Sequence, residues 1–154
     1  MKRKSPFPIL IIIIMSMGLI AFTLFKIIGS NPMIQSPEEV IKTFYQYEKE
    51  GDFGNSWNLF HSEMKKRFAK STYIQTKNHV FLGHMGVKTF DVKVGEVKKV
   101  KRFTFSKDGL TFKDARKAEV TLLFDSQFGE LVINQTCYVV REKGEWKVLW
   151  NYNF

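Results

Sequence analysis

Residues 83–105 read GHMGVKTFDVKVGEVKKVKRFTF, and within them the spacing of apolar side chains changes. Phe90, Val92 and Val94 share one parity, whereas Val97, Phe103 and Phe105 share the other. Alternation of this kind lines one face of a β-strand, so strands are expected from here on. Gly95 sits where the parity flips and predicts a bulge. Before Gly83 the recurrence is every three or four residues, which is helical. The chain is therefore read as helices followed by strands, an α+β order in which helices cover one face of a bent antiparallel sheet.

Working back toward the N-terminus, SPEEVIKTFYQYEKEGD (36–52) carries a full set of helix signals. Ser36 suits the N-cap, Pro37 the first helical position, Glu39 the far end of a capping box, and Gly51 the stop. Its apolar side is Val40, Ile41, Phe44, Tyr45 and Tyr47. A second helix is expected over GNSWNLFHSEMKKRF (54–68), on the spacing of Trp57, Phe60, Met64 and Phe68, and a third over STYIQTKNHVFLGH (71–84). Toward the C-terminus, SKDG (106–109), SQFGE (126–130) and KG (143–144) read as turns. LTFKDARK (110–117) reads as a short strand and a connection, and AEVTLLFD (118–125) and LVINQTCYVVRE (131–142) as strands. Trp146, Val148, Trp150, Tyr152 and Phe154 fall on one face of a last strand.

The chain opens differently. MKRK precedes an uncharged run from Phe7 to Phe25, long enough to cross a bilayer. Ile27, Ile28, Gly29 and Ser30 fit a cleavage site poorly, so residues 7–28 are read as an uncleaved membrane anchor. Lys2, Arg3 and Lys4 place the N-terminus in the cytoplasm and the remainder outside. The expected organisation is a basic tail and anchor over 1–30, a linker over 31–35, and an extracytoplasmic domain over 36–154. Four of the 24 basic residues belong to the anchor region, which leaves 20 against 15 acids outside. That modest excess suits anionic wall polymer or lipid headgroups; nucleic acid is the weaker reading and is not the expected partner, because the location is wrong and no recognised binding motif appears. Cys137 is the one cysteine, so no intrachain disulfide forms, and its strand-like surroundings predict an inert, buried thiol.

The helix EEVIKTFYQYEKEGDF (38–53), the segment SWNLFHSEMKKRF (56–68), the third helix and the closing GEWKVLWNY (144–152) together resemble the nuclear-transport-factor-2-like cone. More narrowly they are similar to its extracytoplasmic forms, found as small anchored envelope proteins and as the N-terminal region of some low-affinity penicillin-binding proteins. The resemblance spans residues 36–154 and implies three helices packed on a strongly bent sheet that encloses a cone. It implies that the aromatic face of the last strand lines the interior, with Tyr45, Trp146, Trp150 and Tyr152 as the expected pocket lining. Some members of this fold are isomerases or dehydratases, with a base and an acid inside the cone.

The residues available for such chemistry are Tyr45, Tyr47, His79, His84 and Asp91, and their spacing makes no motif. Asp91 lies between Phe90 and Val92 and is expected to face solvent. His79 and His84 are five apart, which misses the three- or four-residue step of helical metal pairs, and His61 stands alone. No metal site and no cofactor is expected. Asn134-Gln135-Thr136 matches a glycosylation sequon by chance in a strand-like run. Lys65, Lys66 and Arg67, and then Lys98, Lys99, Lys101 and Arg102, form basic clusters; the second is the candidate contact for anionic polymer or lipid. The function expected is a membrane-anchored binding or interaction module of a bacterial cell envelope, partnered by another envelope protein, without catalysis. The alternative is a cone-pocket isomerase or dehydratase acting on a small hydrophobic molecule.

Overall fold

The computed structural model describes residues 36–152 except Lys88. The expected anchor, the linker and Phe154 lie outside these residues. Among the described residues no helix is long and apolar enough to cross a membrane.

Helix α1 (Pro37–Glu50) forms as its end signals require. The Ser36 hydroxyl accepts from the Glu39 N–H at 3.1 Å, and Gly51, with φ of 74°, takes the left-handed conformation that closes the helix. Val40, Ile41, Phe44 and Tyr45 are buried along its inner face.

The expected second helix is instead two short ones, α2 (Phe53–Asn58) and α3 (Ser62–Arg67). The break has a physical cause. At Leu59–His61 the chain pairs with the last strand: the Val148 N–H donates to the Leu59 carbonyl at 2.9 Å, and the His61 N–H donates to the Val148 carbonyl at 3.0 Å. These sheet bonds replace helical ones while Phe60 is still fully buried. Helix α4 (Lys70–Asn78) then runs without interruption into a π-helical turn, His79–His84. Among the described residues the helical layer is thus four α-helices and a π-turn rather than three helices.

Five strands follow in one antiparallel sheet: β1 (Phe90–Val94), β2 (Lys98–Thr104), β3 (Thr111–Ser126), β4 (Gly129–Glu142) and β5 (Glu145–Leu149). Both β1 and β2 pair with the same edge of β3, and β4 and β5 follow on its other side. Between β1 and β2, the Gly95 N–H donates to the Glu119 carbonyl at 2.8 Å; a Cβ on Gly95 would stand 3.1 Å from that oxygen. The close approach explains glycine at the phase flip. The expected short strand and connection at 110–117 belong instead to one long strand, β3, which bends at Asp114, a non-glycine residue with φ of 79°. Lys143 and Gly144, with φ of 52° and 88°, make a two-residue hairpin turn between β4 and β5.

The sheet curls into a half-barrel. Beyond β5, the Tyr152 N–H donates to the Phe105 carbonyl at 2.9 Å, so the two ends of the sheet meet. Ala118, Val120, Leu122 and Phe124 on β3, with Cys137 and Val139 on β4, are buried on the concave face against the helices. On the other face a smaller cluster forms where Phe103 stacks on Tyr138, with ring centroids 4.0 Å apart, near buried Ala115, Val140 and Leu149.

Candidate functional site

The concave face holds a buried carboxylate. Glu48 follows Phe44 and Tyr45 at helical spacing on α1, so its side chain joins the apolar stripe, and the residue is 3% exposed. A charge so placed must be paired and hydrogen-bonded. Oε1 accepts from the Ser56 hydroxyl of α2 and, at 2.8 Å, from the Tyr73 hydroxyl of α4. Oε2 pairs with the Lys77 ammonium. Lys77 lies one helical turn beyond Tyr73 and packs over the ring of Phe81, 4.5 Å from its centroid, with Phe53 and Tyr73 also near. Three helices therefore converge on one carboxylate.

Beside this knot is a cavity of about 100 Å³ lined by Phe44, Tyr45, Glu48, Lys77, Gln135 and Trp150 among others. The Tyr45 hydroxyl accepts from the Gln135 amide at 2.6 Å. Trp150 meets Phe44, Phe60 and Phe68 edge-on, and its buried indole N–H has no hydrogen-bond partner among the described residues. Burial, with Cys137 beside it, pushes the Tyr45 hydroxyl well above its ordinary range, and burial with the Glu48 charge does the same to Tyr73. Both phenols are therefore neutral; Tyr73 donates to Glu48, and Tyr45 accepts from Gln135. Burial pushes the Cys137 thiol up to about 12, as an inert cysteine requires.

Of the four expected lining residues, Tyr45 and Trp150 border the cavity. Trp146 lies elsewhere, beneath the guanidinium groups of Arg116 and Arg141, 5.4 and 4.7 Å from its ring. Tyr152 packs against Phe105 and under Arg67, which is 4.0 Å from its ring centroid. Glu48 was missed because a glutamate in a run of charged residues reads as solvated. The signal available was its position, three residues after Tyr45 and four after Phe44.

The remaining candidates lie outside the half-barrel. Asp91 is exposed, pairs with Lys49 at 3.2 Å, and borders an open groove of about 350 Å³ between α1 and β1. In the first basic cluster, Lys65 donates to the Asn58 carbonyl, Lys66 pairs with Glu63, and Arg67 covers Tyr152. In the second, Lys98 pairs with Glu96 and Lys99 with Asp114, while Lys101 and Arg102 are exposed with no ion pair among the described residues. All four sit on β2, along whose outer edge no strand pairs among the described residues until just past its end, where Ser106 bridges Tyr152. Charges there block edge-to-edge pairing.

The histidines are arranged otherwise than their spacing suggests. In the π-turn, residues five apart come together, and the Nε2 atoms of His79 and His84 are 2.8 Å apart. His61 is buried at the start of α3, where its Nδ1 accepts from the Glu63 N–H at 3.1 Å and its Nε2 faces Glu142 at 3.5 Å.

No family model matches the chain, and no curated protein matches it. Among solved structures it is similar to the solution structure of a SEC-C motif containing protein from Rhodopseudomonas palustris, with a TM-score of 0.54 and 11% identity over 80% of this chain and 82% of that one. At that identity the likeness concerns the fold alone.

Proposed function

We propose that the chain is a membrane-anchored, extracytoplasmic interaction module of a cell envelope, built on a nuclear-transport-factor-2-like cone and held by residues 7–28. The observation that carries the non-catalytic reading is the state of Glu48. Three of this carboxylate's four acceptor positions are taken by Ser56, Tyr73 and Lys77, an arrangement that suits a junction between helices better than a general base that must take a proton from substrate. The adjoining cavity of about 100 Å³ has room for roughly three waters at ~30 Å³ each. Small-molecule sites usually start near ~300 Å³. The interior thus serves to hold the helices on the sheet, and recognition falls to the outside: the α1–β1 groove with Lys42 and Lys49, and the β2 edge with Lys98, Lys99, Lys101 and Arg102. The partner that suits these surfaces is an envelope protein or an anionic wall polymer.

The rival is an isomerase or dehydratase using Glu48, favoured by the carboxylate's position at the cavity wall. The two separate in cells. The wild-type chain is expected in the membrane fraction, with the domain open to protease in wall-stripped cells and proximity labels from it falling on envelope proteins. Protease protection there would overturn the topology. A Glu48→Gln variant that folds and accumulates, yet loses the cellular phenotype, would overturn the interaction reading in favour of the enzyme.

A further inference from the structure

We propose that His79 and His84 form a two-imidazole site for a divalent transition metal ion, with Cu(II) held most tightly. This rests on the π-turn alone and is independent of the interaction surfaces above.

Two imidazole nitrogens bound at about 2.0–2.1 Å, and at right angles around one metal, stand roughly 2.9 Å apart. The Nε2 atoms of His79 and His84 are 2.8 Å apart. Such proximity is not available to residues five apart in an α-helix, whose i and i+5 side chains diverge. The wider turn supplies it, and the turn is fixed from several sides. The Met85 N–H donates to the Val80 carbonyl at 2.9 Å and the Val87 N–H to the Phe81 carbonyl at 2.8 Å. From the β3–β4 hairpin, the Gln127 side chain donates to the His84 carbonyl at 2.6 Å, and the Gln127 N–H donates to the Met85 carbonyl at 3.2 Å. Phe81, between the two histidines, stacks on Phe124 with centroids 5.2 Å apart, so the turn is also anchored to the core. Little freedom is lost when a ligand binds groups already placed.

Without metal, one ring donates Nε2–H to the other ring's Nε2 lone pair. With metal, the donating ring carries its proton on Nδ1 instead, so both Nε2 lone pairs face the ion and no net proton is released. Both residues are exposed, which leaves the other coordination positions to water or to a ligand from a partner. Neutral imidazoles with open positions suit Cu(II), Ni(II) and Zn(II), and the general affinity order puts Cu(II) first.

The test uses the untagged full chain in detergent, titrated with Cu(II) and separately with Zn(II). One equivalent of Cu(II) is expected to bind, with paramagnetic-resonance couplings to two imidazole nitrogens, and Zn(II) to bind more weakly at the same place. His79→Gln and His84→Gln should each lower Cu(II) affinity at least about tenfold and leave one coupled imidazole, with the circular-dichroism spectrum unchanged. Cu(II) affinity and couplings unchanged in both variants would overturn the proposal. So would the absence of any perturbation of the two imidazoles in the wild-type nuclear-resonance spectrum at equimolar metal, since the pair would then be only a hydrogen bond across the turn.

Discussion

Two groups of charges in this domain have the same chemistry and opposite circumstances. Glu48 and Lys77 meet inside the half-barrel, where the carboxylate is 3% exposed and its oxygens are shared among three helices. Lys98, Lys99, Lys101 and Arg102 line an outer strand, where two of them pair with exposed acids, Glu96 and Asp114. Inside, removing one partner leaves a desolvated charge with nothing to neutralise it. Outside, solvent and salt screen whatever is removed. Burial, rather than the type of ion pair, decides whether a charge here shapes the fold or is free to meet a partner.

The contrast is broken most directly at its buried end. Glu48→Ala strands Lys77 and leaves the Ser56 and Tyr73 hydroxyls without an acceptor, and about 3–5 kcal/mol should be lost in urea unfolding. Glu48→Gln keeps an acceptor and should cost less. A loss in the alanine variant below about 1 kcal/mol would mean that water enters the knot and that it belongs with the surface pairs.

His61 and Glu142 stand between the extremes. Burial lowers the His61 pKa below 6.5, although Glu142 and Glu63 pull it up and Lys65 and Lys66 add to the lowering. Protonation must also occur at Nδ1, which caps the Glu63 N–H. The Glu142 pKa is held below 4.5 against its partial burial by its bonds to Ser62 and by His61. In both cases the unfolded chain takes up the proton first. Stability should therefore begin to fall as the pH drops below about 6.5, and fall again below about 4.5. His61→Asn, which retains a capping oxygen, should flatten the first limb between pH 7 and 5 in chemical-denaturation midpoints. An unaltered slope would assign that limb to other groups.

The smallest effect belongs to the outer edge. Replacing Lys98, Lys99, Lys101 and Arg102 with Gln should change stability by no more than about 0.5 kcal/mol. It should nonetheless weaken retention on anionic wall polymer in low salt and abolish its salt dependence. Retention unaltered by both salt and the replacements would leave the cluster as protection for a strand edge and move the binding surface to the α1–β1 groove.

How much of this was legible in the sequence depended on how local the determinant was. Helix α1 could be bounded from Ser36, Pro37 and Gly51 because caps act within a turn. The change from helices to strands was readable from Phe90, Val92 and Val94 for the same reason. The break at Leu59–His61 was not, because Trp57, Phe60, Met64 and Phe68 keep helical spacing while the bonds that interrupt the helix come from Val148. The buried role of Glu48 depended on Lys77 and Tyr73, which lie more than two dozen residues away. The histidine pair was hidden by an assumption of α-helical geometry, since a five-residue step brings side chains together only in the wider turn.

The pairing of Leu59 and His61 with Val148 also bears on the order in which the domain assembles. Helices α2 and α3 are complete in sequence by Arg67, yet the hydrogen bonds that divide them wait for a strand made some eighty residues later. Until β5 is available, residues 54–68 are free to form the continuous helix that their spacing favours, with Phe60 on its apolar side. Wherever that helix has formed, docking the strand has to open it at Leu59–His61 to make these bonds. Acquisition of the native structure is thereby tied to the farthest contact rather than the nearest, a late, non-local step of the kind that slows folding and leaves apolar side chains uncovered in the interval.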